Sequence, residues 1–295
     1  MLKVRKGVGR FLLLLVALIL VPSCAPARTE LSQGKFGKLE KDETWTETVS
    51  LSGDLYIPAD RTLVVQSGSV INVTAGKSLW DVDLSRNIGG ENREITRRGL
   101  VDIIVEGTLR MEGRWLSGIS VADSNERRPS SWGGIVLINN GKAEINRASV
   151  YLADTAMALF DQSEAKITHS TFKSNLAAIE AFQESSLDIG DSTLSANPTG
   201  AALYDRARGR IKDSWFRFNS SGILIADQAR ASVESNILFK NILAISALDS
   251  SKPQVLGNYL LANQTGIRLG QSADPDMNGN WSFLEKNKLT DERDR

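Results

Sequence analysis

The chain has 295 residues, 41% hydrophobic and 24% charged, a balance that suits a packed globular protein and excludes a disordered one. Lys and Arg together number 35, as do Asp and Glu, so no net positive field is available to hold a nucleic-acid backbone. One Cys and one His exclude a disulfide framework, a thiolate zinc site and a cluster of imidazole ligands, and four Met offer little to a soft metal.

Lys3, Arg5, Lys6 and Arg10 precede an apolar run from Phe11 to Val21, which is too short for a membrane span of about 20 residues. Residues 1–23 therefore read as a secretory signal. The run ends Val21-Pro22-Ser23-Cys24, which resembles the lipobox of bacterial lipoproteins, with Pro22 departing from the usual residue at that place. The resemblance implies that Cys24 carries lipid and becomes the new N-terminus. Ala25 behind it implies an outer-membrane address, facing the periplasm or the exterior. Cleavage removes four cations and leaves the mature chain near a net charge of about −4. Residues 24–44, polar and broken by Pro26, Gly34 and Gly37, read as a tether.

Over residues 45–133 apolar pairs two apart recur at Leu55/Ile57, Leu63/Val65, Ile71/Val73, Ile103/Val105, Leu109/Met111 and Ile119/Val121. Two apart is the strand period, and these are expected to be irregular early coils. Arg86 to Arg98 and Ala122 to Ser131 lack that period and read as surface loops.

Over residues 134–270 the pattern becomes strict. Ile145, Ile167, Ile189, Ile211, Val233 and Val255 lie 22 residues apart, as do Val150, Phe172, Leu194, Phe216, Leu238 and Leu260. A third column runs from Ile135 to Ile267 and a fourth from Leu137 to Leu269. A small column includes Gly134, Ala156, Gly200 and Gly222, and an Asn column comprises Asn175, Asn197, Asn219, Asn241 and Asn263. Such a period marks a repeat protein in which each strand pairs with its counterpart one coil away, about 4.8 Å along the axis. Asn at a fixed corner suits stacked amides and a left-handed turn. The fold expected is all-β.

These residues resemble the right-handed parallel β-helix superfamily, known best from pectate lyases. The resemblance implies right-handed coils, in keeping with parallel crossovers generally. A leucine-rich repeat fails because its second Leu position reads Ala148, Ser170, Ser192, Ser214, Asn236 and Asn258. A membrane barrel fails because the intervening positions are largely charged or Ser. Residues 271–295, with Met277, Trp281 and Phe283, break the 22-residue phase in sequence and are expected to cap the solenoid.

Outward positions are where function is expected. Glu144, Lys166, Asp188 and Arg210 alternate in sign down one column, which reads as a solvated face that supports strand register. Arg210-Ile211-Lys212 matches a substrate-binding signature of polygalacturonases on this fold, but only Asp188 and Asp191 stand near as acid and base. Asn139, Asp161, Gln183, Asp205, Asp227, Asp249 and Gln271 share a turn column. Adjacent carboxylates suit an oxygen-loving cation, but Asp and Asn equally suit a turn, and Arg206, Arg208 and Arg230 stand close in sequence to neutralise them. His169 shares a column with Arg147, Asp191 and Asp213 and lacks a nucleophile. Arg93, Arg97, Arg98, Arg127 and Arg128 on the two loops offer cations to an anionic polysaccharide, diluted by Glu91, Glu94, Asp123 and Glu126.

The apolar clue is stronger. Trp215, Ile237 and Tyr259, with Phe239 and Leu261 beside them, are expected to form one outward patch, which binds sugar rings or a protein partner unless the tail with Trp281 and Phe283 lies across it. No catalytic residues, metal or cofactor are expected. The expected role is a lipid-anchored envelope scaffold that binds a polysaccharide or an envelope protein, with an enzyme acting on an acidic glycan, a lyase or glycosidase, as the alternative.

Overall fold

Strands follow one another with no helix between them in the computed structural model, which describes residues 34–74, 100–114, 118–123, 130–283 and 288–292. These residues belong to one compact unit, Gln33–Arg295. The signal segment, Cys24 and the five loop arginines named above lie outside the described residues.

A regular coil has three strands, as in Thr155–Leu159, Glu164–Thr168 and Thr171–Lys173, which contribute to a first, second and third face. Each pairs in parallel with its counterpart 22 residues on, so that Ile145, Ile167, Ile189 and Ile211 stand opposite one another. The second face is a ten-stranded sheet from Glu43–Trp45 to Asp276–Asn278, hence ten turns. The other two faces merge into one sheet because the long strand Thr48–Ile57 pairs with Val70–Val73 at its start and with Asp102–Val105 at its end. The protein is thus a parallel β-helix, with the apolar columns as its core: Ile167, Ile189, Phe172, Phe216, Ile223 and Leu203 are fully buried. The small column has a simple cause, since a Cβ on Gly200 would lie 2.3 Å from the Gly222 carbonyl oxygen of the next coil.

Corners pose the harder problem, because a backbone that bends leaves buried N–H groups without a strand partner. Three polar ladders solve it. In the first, Asn175 Oδ1 accepts the Ala153 N–H at 2.9 Å, and Asn197 Oδ1 accepts the Asn175 N–H at 3.0 Å. The same amides donate backward, Asn219 Nδ2 to the Leu194 carbonyl at 3.0 Å and Asn241 Nδ2 to the Phe216 carbonyl at 2.9 Å. The second ladder occupies the position that ruled out a leucine-rich repeat: Ser170, Ser192, Ser214, Asn236, Asn258 and Asn280 each accept the backbone N–H one coil before. The third runs along the acidic turn column described below.

The left-handed residues are not the buried Asn, contrary to the turn role expected of them. They are the residues just before, Ser174, Ala196, Phe218, Lys240 and Ala262, with φ between 52° and 59°. Asn is selected there for its amide, which both accepts and donates, and not for its backbone.

Two boundaries also shift. The chain joins the solenoid earlier than residue 45: Lys35–Lys38 pairs with Thr48–Ile57, and Leu39 is buried. Its single apolar residue, Phe36, is exposed, so this strand lacks the alternation by which the others were read. At the other end the 22-residue phase holds through residue 283 and slips by one only where Lys288 pairs with Thr265. Met277 stands opposite Val255, Trp281 opposite Tyr259 and Phe283 opposite Leu261, and Asn280 extends the second ladder. Polar residues at Ser272 and Asp274 hide the continuation without ending it.

Candidate functional site

The acidic turn column is structural. Asp161, Asp205, Asp227 and Asp249 occupy left-handed corners with φ between 55° and 58°, as does Gln183. Their side chains accept backbone N–H groups from the preceding coil: Asn139 to Asp161 at 2.9 Å, Gln183 to Asp205 at 2.9 Å, Asp205 to Asp227 at 2.9 Å and Asp227 to Asp249 at 3.2 Å. Arg206 does not neutralise this column, for it pairs with Glu184 at 2.8 Å. Among the described residues no three His, Cys, Asp or Glu side chains gather as a metal site.

The other polar candidates resolve in the same way. His169, Asp191 and Asp213 share a left-handed corner with Arg147, at φ 49° to 52°, so turn geometry accounts for their shared column. Asp188 lies opposite Arg210 and Lys166 on the second face, while Lys212 stands beside Asp213 at 3.4 Å. Titration is displaced at Glu43 and Tyr56, both in the earliest coils. Burial, then a hydrogen bond to Glu106, pushes the Tyr56 phenol up to about 12. Burial pushes Glu43 up as well, but hydrogen bonds from Lys35 and Trp45 outweigh it and hold the carboxyl below its ordinary value.

What stands out is the third face near its C-terminal end. Its strands Trp215–Arg217, Ile237–Phe239, Tyr259–Leu261 and Trp281–Phe283 pair in register, which places Trp215, Ile237, Tyr259 and Trp281 in one row. Arg217, Phe239 and Leu261 form the row beside it. Alternation sends Phe216, Leu238 and Leu260 inward to the core and these residues outward. The five residues expected to form a patch are therefore neighbours. Trp215 is 45% exposed, Tyr259 43% and Trp281 56%, while Ile237, Phe239 and Leu261 are half-buried between them. Trp281 does not lie across the patch; its strand lengthens it, because the tail keeps the phase of the sheet.

Two residues were missed by reading only strand positions. Phe218, at the left-handed corner, meets Phe239 edge to face with ring centroids 5.7 Å apart. Lys240, one coil on, lies 5.1 Å from the Phe239 centroid and 6.0 Å from that of Phe218. The same period would have revealed both, had the column before each Asn been read as surface. A separate stack, Phe160–Phe182–Tyr204, has centroids 5.0 and 5.1 Å apart, and Phe160 and Phe182 are buried, so it reads as packing.

The fold class is then clear: coils of 22 residues stacked in register form a right-handed parallel β-helix. Residues 115–260 match the family model described as the right handed beta helix region. Among solved structures, the chain is similar to the A-module of the mannuronan C-5 epimerase AlgE4 of Azotobacter vinelandii, at 11% identity over 86% of this chain and 91% of that one, with a TM-score of 0.32. No curated protein sequence matches.

Proposed function

We propose that this protein is a non-catalytic scaffold of the cell envelope, held there by lipid on Cys24, whose third face is its binding surface. The observation that carries this reading is the in-register outward row Trp215, Ile237, Tyr259 and Trp281. A soluble surface rarely leaves so many large rings side by side unless something binds them. The carboxylates in the turn column support the same reading, because Asp205 and Asp227 each use an oxygen as a backbone acceptor, a structural role that explains their place in the column.

Fractionation tests the two halves of the reading separately. The unmodified chain is expected in the membrane pellet, and Cys24→Ser is expected to be released from it by high salt. Purified Cys24→Ser chain is expected to be retained on isolated envelope material, and Trp215→Ser/Tyr259→Ser in that background to be lost. If Cys24→Ser stays in the pellet under high salt, lipid is not the anchor; if the ring variant is retained as well, binding lies on another face.

A further inference from the structure

The partner of the third face is indicated by what borders its rings. From Thr171 to Trp281 the outward and corner positions of this face include Lys173, Arg217 and Lys240 and, among the described residues, no carboxylate. Acidic residues begin at the preceding corner, where Asp213 is already beside Lys212. Lys240 lies over Phe218 and Phe239, so its ammonium stands at the rim of the rings. Trp and Tyr mixed with exposed cations is the composition of a bilayer's headgroup layer, where rings with a polar edge lie between water and acyl chains and cations meet phosphates.

Ile242 and Phe218 decide between lipid and glycan. Each is 52% exposed at or beside the corner, and neither has a polar handle. A sugar takes flat rings, whereas an apolar ridge gains most by entering the boundary between headgroups and acyl chains. We infer that the third face docks on an anionic bilayer surface, with Trp215, Tyr259 and Trp281 at headgroup level, Arg217 and Lys240 on lipid phosphates, and Phe218 and Ile242 as the inserted ridge. The inference rests on the reading of this face as the binding surface and names its partner.

The test uses the mature Cys24→Ser chain, so that no lipid of its own contributes, and protein-free vesicles of phosphatidylcholine with or without phosphatidylglycerol. Co-sedimentation is expected with the anionic vesicles, much less with phosphatidylcholine alone, and it should fall as salt rises. Each cation at such a surface is worth about fivefold in affinity, so Arg217→Gln/Lys240→Gln should bind roughly twenty-fivefold more weakly at an unchanged melting temperature. If that variant folds poorly, the salt titration of the Cys24→Ser chain decides. Equal binding to both vesicle types, or full binding by a well-folded variant, overturns the inference. Retention on envelope material or a glycan array through the same rings, without vesicle binding, overturns the lipid partner and leaves the binding face standing. Loss of all three overturns both.

Discussion

Ile223→Asp is expected to leave the central coils unfolded. Ile223 is fully buried and stands in register between Ala201 and Ile245, so the substitution removes one inward rung and deprives the coils on both sides of their neighbour. Lost burial costs about 1.5–3 kcal/mol, and a carboxylate with no partner in the apolar interior adds several more. The total is comparable to the whole stability of an ordinary domain, about 5–15 kcal/mol. Because each coil touches only its neighbours, the damage should begin locally, with early proteolysis around residues 200–245 and a broadened or absent thermal transition. A normal melting curve would contradict the inward assignment.

Asn219→Ala should cost about 2–6 kcal/mol in urea denaturation. The Asn219 amide accepts the Asn197 N–H at 3.0 Å and donates to the Leu194 carbonyl at 3.0 Å and to Asn241 Oδ1 at 3.1 Å. Its removal orphans a buried donor and a buried acceptor, each worth about 1–3 kcal/mol when left unsatisfied. The comparison is Asp227→Asn on the exposed corner. There the new side chain keeps the acceptor for the Asp205 N–H, tolerates the left-handed backbone and remains in water. That change should fall within about 0.5 kcal/mol of zero. Equal costs for the two would mean that the buried amides do not hold the corners together.

The period of 22 was legible because inward positions must stack like on like, and an apolar residue announces its burial. Ile145 through Val255 needed no structure to be placed. The corners were harder to read, because Asn serves both as a left-handed residue and as a double-ended hydrogen-bonding group, and composition does not separate the two roles. Phe218 sits at a left-handed corner, where a bulky side chain is uncommon, so nothing in local propensity marks it as surface. Lys35–Lys38 has the sequence of a tether for a related reason: an edge strand with one exposed ring has the pattern of a loop.

The patch itself was legible as two columns turning apolar together, yet its extent was not. Whether Trp281 covers Tyr259 or stands beside it depends on phase, and phase after residue 270 rests on Met277 and Asn280 rather than on a run of apolar residues. Chain order alone favours a tail folded over an open end. Register places that tail in the sheet and makes the binding surface one strand longer.

The binding face can be tested directly by hydroxyl-radical footprinting of the Cys24→Ser chain, alone and with isolated envelope membranes. The rings at Trp215, Phe218, Tyr259 and Trp281 should react readily in the free chain and become protected together on binding, while Phe36 on the first coil stays reactive. Protection of other faces, or rings that are unreactive in the free chain, would contradict the account.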